Sequence, residues 1–186
     1  MGGENLSEIK VSKEEIDIIL DNTIQSITDF KNSVYGKNND SSKKVKNYLE
    51  WTAVKTDMVK NEELFTIPDN KAPLIKRSYV HWVHFGFNVG KEFGGHHPAV
   101  ILKETGDSVF VLPLSSGKIP QDKKGKAYCV DVPFVYDLAA MPRWANVLRI
   151  VCVSKMRLDF TSRTGRLQGK YMDAINEAMK KSGIKI

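Results

Sequence analysis

The sequence predicts an α+β fold: a small β-barrel domain with a C-terminal helix, preceded by a helical N-terminal extension. Three observations predict it. Apolar residues recur at helical intervals near the start, short runs rich in Val, Ile, Tyr and Phe fill the middle, and a second helical stripe ends the chain.

The elements follow in order. Ser12 and Glu15 have capping-box spacing, and Ile16, Ile19, Leu20, Ile24, Ile27, Phe30 and Val34 continue an amphipathic helix to about Gly36. The polar stretch 37–44 reads as a connection, with Ser41 or Ser42 able to cap a second helix that runs to about Glu63. Pro68 and Pro73 bracket what reads as a linker. Five β-type runs then follow: Tyr79 to Phe85, Ala99 to Lys103, Ser108 to Leu114, Ala127 to Val132 and Val147 to Val153. That many short strands in so little chain suggests a closed or partly closed barrel. A helix from about Gly165 to Ser182 carries Leu167, Tyr171, Ala174, Ile175 and Ala178 on one stripe, with Gly183 as its C-cap. The expected division is a helical extension over 1–72 and a barrel domain over 77–186.

The 186 residues, 41% hydrophobic and 27% charged, suit one good core with a helical appendage rather than two full-size domains. No apolar run approaches membrane-spanning length, and the polar start lacks a signal peptide's apolar core, so a cytoplasmic protein with no membrane partner is expected. Cys129 and Cys152 are too few and too far apart for a metal or disulfide framework, and both read as core thiols. Charge divides unevenly. Residues 1–117 hold 14 basic and 16 acidic side chains, whereas residues 118–186 hold 14 basic and 6 acidic. A positive C-terminal surface suits a polyanion, and equally a merely solvated face.

The motifs sharpen this reading. WVHF (82–85) leads through Gly90, Glu92, Gly95, His97 and Pro98 into the apolar run AVIL (99–102), and the third strand ends in Pro113, Leu114, Ser115 and Ser116. This segment resembles the PemK/MazF ribonuclease toxins, whose pattern runs Gly-x-Glu-x-x-Gly-x-Arg-Pro and then Pro-x-Thr or Pro-x-Ser. Weaker similarity through VSKMRL (153–158) extends the resemblance over residues 77–186. It implies an SH3-like barrel of about five to seven strands that forms a homodimer and cuts single-stranded RNA without metal or cofactor. The cognate antitoxin protein is the other implied partner.

Two departures stand out. His97 occupies the family's arginine position, and Leu148 and Arg149 stand where acidic or amide residues are usual. RNA cleavage by 2′-hydroxyl attack needs a proton acceptor, a proton donor and cationic or hydrogen-bonding groups for the phosphate. The resemblance therefore nominates His97 for proton transfer, Ser115 for a hydrogen bond to phosphate and Arg149 as the replacement cation. Glu92, Ser116, Lys118, Lys123, Lys124, Arg143 and Trp144 are the expected RNA contacts. Trp82 reads as core, Trp144 as the better stacking ring, and Glu92 equally as an acceptor ordering its loop.

All four histidines fall between 81 and 97, but His81 and His84 must point to opposite faces of a strand. At most one can join the pair at 96 and 97, and no metal site is expected. The alternative to an enzyme is an inactive barrel of this type that binds RNA or a protein partner.

Overall fold

The computed structural model describes residues 11–184. It divides into two compact units, Met1–Ala53 and Val54–Ile186. In the first, α1 (Lys13–Val34) begins with the expected capping box: Ser12 Oγ accepts from Glu15 N and Glu15 Oε2 accepts from Ser12 N, at 3.1 and 2.9 Å. The connection is shorter than its composition suggests, because α2 (Asn39–Lys60) starts at once. Asn38, not Ser41 or Ser42, caps its first turn, its Oδ1 accepting from Ser41 N at 2.7 Å while Ser41 Oγ accepts from Asn38 N at 2.9 Å. Phe30 and Tyr48 meet edge to face, with centroids 4.9 Å apart.

The second unit is a curled antiparallel sheet of eight strands with a C-terminal helix. β1 (Tyr79–Gly86), β2 (Gly95–Thr105) and β3 (Ser108–Ser116) form a meander. The expected fifth strand, Val147 to Val153, is a strand only in its second half, and a strand that was not expected precedes it. β5 (Arg143–Asn146) pairs with β4 (Cys129–Val132) and the end of β3, whereas β6 (Val151–Ser154) pairs with the start of β3. A 3-10 turn at Val147–Arg149 separates them, stabilised by Asn146 Oδ1 accepting from Leu148 N at 3.0 Å. Short strands β7 (Leu158–Asp159) and β8 (Gly165–Arg166) line the outer side of β1.

Strand alternation sends side chains into two cores. Val80, Val100, Leu102, Leu112 and Leu114 pack with Ala145 and with Met172, Ile175, Ala178 and Met179 of α3 (Gly169–Lys181). The helix stripe is thus turned by one position from the expected one: Met172 is buried, Tyr171 half-buried and Ala174 exposed. Burying Ile175 fully contributes about 1.5–3 kcal/mol. On the other face Val83, Phe85, Ala99, Ile101, Val109 and Val111 pack with Ile75.

Ile67 joins that second core, Phe65 stacks near Phe160, and Lys71 Nζ donates to Ser162 O at 3.3 Å. Between the prolines only Lys71 is half-buried and bonded to the sheet unit, while Ile67 and Ile75 on either side pack into its second core. His81 is 1% exposed, its Nε2 2.9 Å from Leu74 O, and burial lowers its pKa. The cysteines differ from expectation as well: Cys129 is half-buried and Cys152 exposed, because it points away from the core on β6.

Candidate active site

β2 begins four residues earlier than its apolar run, so His96 and His97 lie in a strand and not in a loop. Past the Ala99↔Pro113 pair only β1 still flanks β2, an edge where Pro98 can lack an N–H without loss. Successive strand residues face opposite ways, which separates the two histidines.

His97 packs against Phe93, ring centroids 4.9 Å apart, and the Arg149 guanidinium lies 5.2 Å from the centre of the same Phe93 ring. Phe93 and His97 lie close together in sequence and Arg149 comes from a distant segment; the loop before β2 brings all three together. Asn88 fixes that loop by donating from Nδ2 to Phe93 O at 2.6 Å and to Phe85 O at 3.4 Å. Gly94 runs so close to β1 that a Cβ there would lie 2.6 Å from Gly86 O. Burial, with the nearby His96 contributing, lowers the His97 pKa below its ordinary 6.5, so its imidazole is mainly neutral at pH 7.

Ser115 is half-buried and Ser116 exposed at the end of β3, paired with Trp144 and Arg143. Ser115 and His97 each stand two residues beyond Ala99↔Pro113, on the same face of two strands that part there. Ser116 borders a cavity of about 600 Å³ with Trp82, His96, His97, Arg143 and Arg163. An imidazole, a hydroxyl and guanidinium groups around open space can move a proton and hold an anion.

Two of the expected RNA contacts, Trp144 and Arg143, are buried. Trp144 is 5% exposed and offers no free ring face, whereas the half-buried Trp82 borders the cavity; strand pairing, not the neighbouring turn, decides which ring is covered. Arg143 is also buried, its Nη1 donating to Ala139 O and Met141 O at 3.1 and 3.3 Å, so it fixes the preceding loop. Glu92 is exposed and, among the described residues, its carboxylate orders nothing by hydrogen bond or ion pair.

Lys123 lies over the Trp144 ring at 5.3 Å. Lys118 and Lys124 line a separate groove of about 1330 Å³ together with Lys126, Lys170 and Lys181. Arg143 borders both cavities.

The structure also assembles a group that sequence spacing does not reveal. His84 and His96 stack across β1 and β2 at 4.4 Å, and His96 Nε2 lies 3.2 Å from Asp159 Oδ2. As strand parity requires, His81 is not part of it. The Asp-x-Thr-Ser run (159–162) signals a carboxylate bonded to its own turn, but only the β1–β7 pairing brings Asp159 to the histidines.

A family model described as "PemK-like, MazF-like toxin of type II toxin-antitoxin system" matches residues 76–182, more than half of the chain. No curated protein matches. Similar solved structures include an endoribonuclease in complex with its cognate antitoxin from mycobacterial species, at 17% identity and TM-score 0.40, covering 59% of this chain and 96% of that one. The Mycobacterium tuberculosis toxin MazF-mt6 is 18% identical, with TM-score 0.41 and coverage of 57% and 98%. MazF (Form-I) from Deinococcus radiodurans is 20% identical, with TM-score 0.39 and coverage of 64% and 96%. With its motif glycines, proline and strand-end hydroxyl inside the matched segment, the chain belongs to the PemK-like, MazF-like toxin family of type II toxin–antitoxin systems.

Proposed function

We propose that this protein is a cytoplasmic endoribonuclease toxin that cuts single-stranded RNA by metal-independent attack of a 2′-hydroxyl, and that a cognate antitoxin protein binds it. The single observation that carries the reading is the cluster in which Phe93 supports both the His97 imidazole, at 4.9 Å, and the Arg149 guanidinium, at 5.2 Å. A base and a cation beside one open edge are what the reaction requires, and family membership supplies the reaction class.

In this mechanism neutral His97 accepts the 2′-hydroxyl proton as the 2′-oxygen bonds to phosphorus. The bond from phosphorus to the 5′-oxygen breaks, and the imidazolium returns its proton to that leaving oxygen. Arg149 and the Ser115 hydroxyl stabilise the charge gathering on the phosphoryl oxygens. Ser116, Trp82 and the lysines at 118, 123 and 124 guide the strand by hydrogen bonding, stacking and charge.

The chemistry of the cut ends tests this. Cleavage by the protein should leave a 2′,3′-cyclic phosphate on one fragment and a 5′-hydroxyl on the other. Fragments carrying 5′-phosphates would mean that water, not the 2′-oxygen, is the nucleophile, and would overturn the mechanism.

A further inference from the structure

The cleavage reading gives no chemical role to His84, His96 and Asp159, yet they stand together on one face of β1, β2 and β7. His84 and His96 are direct partners in the β1–β2 register, and Asp159 pairs with Trp82, the next residue on that face of β1. One ligand atom from each of the three lies within 4.8 Å of the others. Among the described residues no other group of three or more His, Cys, Asp or Glu side chains is so arranged.

The carboxylate is held in place in advance. Asp159 Oδ1 accepts from Thr161 N at 2.9 Å, Thr161 Oγ1 at 2.6 Å and Ser162 N at 3.2 Å, while Oδ2 accepts from Ser162 Oγ at 2.6 Å. Oδ2 thus has one hydrogen-bond donor from its own turn and lies 3.2 Å from His96 Nε2. Such outer hydrogen bonds are how metal sites orient their ligands. The backbone contributes too: the β1–β2 register shifts between His84 and Gly86, and bulges of this kind re-aim side chains beside functional sites.

The distances fit an ion. Two ligands on a tetrahedral ion with bonds of about 2.0 Å stand about 3.3 Å apart, close to the 3.2 Å between His96 Nε2 and Asp159 Oδ2. His84 needs the larger adjustment. Its ring now stacks on His96 at 19°, and two nearly parallel rings cannot both aim an in-plane lone pair at one point. Turning the ring and moving its nitrogen by about 1.5 Å, from the 4.8 Å limit to the tetrahedral edge, would complete the set. Both rings lie at the strand ends, His84 half-buried and His96 exposed, so that turn displaces no core side chain.

We propose that His84, His96 and Asp159 bind one divalent transition-metal ion of the zinc class, with at least one coordination position left to water. Two imidazoles and a carboxylate suit zinc, nickel or copper, and not magnesium or calcium, which prefer all-oxygen sites. The ion would tie together β1, β2 and β7. His96 borders the same cavity as His97, but none of the three ligands is given a step in cleavage, and metal binding is read without RNA, so this proposal and the ribonuclease reading can fail separately.

The test uses the full chain, stripped with EDTA, desalted and titrated at pH 7.5 with Zn²⁺ alone, with Mg²⁺ as the comparison, by calorimetry. One Zn²⁺ per chain should bind, and Mg²⁺ should not bind in the same range. His84→Ala and His96→Ala should each weaken Zn²⁺ binding at least 100-fold, and Ser162→Ala roughly 10- to 100-fold through loss of carboxylate orientation. Zn²⁺ should raise the melting temperature of the wild type and not of His84→Ala. His84→Ala carries the test because Asp159→Asn also disturbs its own turn. No saturable Zn²⁺ binding, or one-to-one binding that His84→Ala leaves unchanged, would overturn the proposal.

Discussion

His97 shows how much a single position decides. Where the family carries a permanently charged guanidinium, this chain has a group that titrates near neutral pH. Burial favours its neutral form, with His96 adding to the effect, so the folded-state pKa lies below 6.5. If His97 is the base, the cleavage rate should rise with pH along a limb centred below 6.5 and level off above it; a pH–rate profile flat from pH 5 to 8 would argue against proton transfer by this residue. Its neighbours should rank by charge. Ser115→Ala should cost roughly 1.5–3 kcal/mol of transition-state stabilisation, the scale of one hydrogen bond to a charged group. Arg149→Ala should cost more and flatten the salt dependence of the rate, measured as kcat/KM across ionic strength, because it removes a cation from the phosphate. The motif spacing singled out His97 and Ser115, and the strand register places them on one face of adjoining strand ends. Phe93 and Asn88 were not legible in the sequence, because their importance lies in what the folded loop packs against: one touches two side chains from separate segments, and the other holds the loop by donating to main-chain carbonyls.

At the scale of elements, the glycine pair before β2 sets where His97 stands. Gly94 admits no side chain, since a Cβ would meet the Gly86 carbonyl at 2.6 Å, and Gly95 adopts φ +86°. Gly94→Ala should therefore shift the loop that carries Phe93 and lower the cleavage rate at least 10-fold while leaving the fold intact, as read by kinetics alongside circular dichroism. The longer strands were legible from Val, Ile and Phe runs, but their ends and the short strands β5, β7 and β8 were not. Pro98 marks a boundary in one dimension, yet here it lies at an edge where no third strand asks for its N–H. The run from Val147 reads as one strand because Val, Leu and Ile dominate it; the Asn146 side chain caps a 3-10 turn over its first three residues, and the strand begins only at Val151. The packing of Phe65, Ile67 and Ile75 bears on truncation. A chain beginning at Val54 should unfold cooperatively, whereas one beginning at Ile75 loses the half-buried Phe65 and Ile67 and should be less stable by about 1.5–3 kcal/mol in all, roughly half the value of full burial for each; denaturant unfolding of the two fragments compares them.

For the whole molecule, the uneven charge is the feature the sequence stated most directly. Its positive C-terminal part supplies the lysines of the wide groove, Lys118, Lys124, Lys126, Lys170 and Lys181, and folding concentrates there what the chain only distributes. We expect two copies to pair through the sheet unit, so that 54–186 alone should show a dimer mass in light scattering at micromolar concentration; a monomer mass would count against it. Among the described residues no helix is long and apolar enough to cross a membrane. The central claim is ribonuclease action through His97, and one measurement tests it most directly: purified wild type and His97→Ala, each free of antitoxin, incubated with a mixed RNA in EDTA. The account predicts discrete cuts by the wild type and a rate on the order of 10²- to 10⁴-fold lower for His97→Ala. RNA left intact by the wild type, or cut equally fast by both proteins, would contradict it.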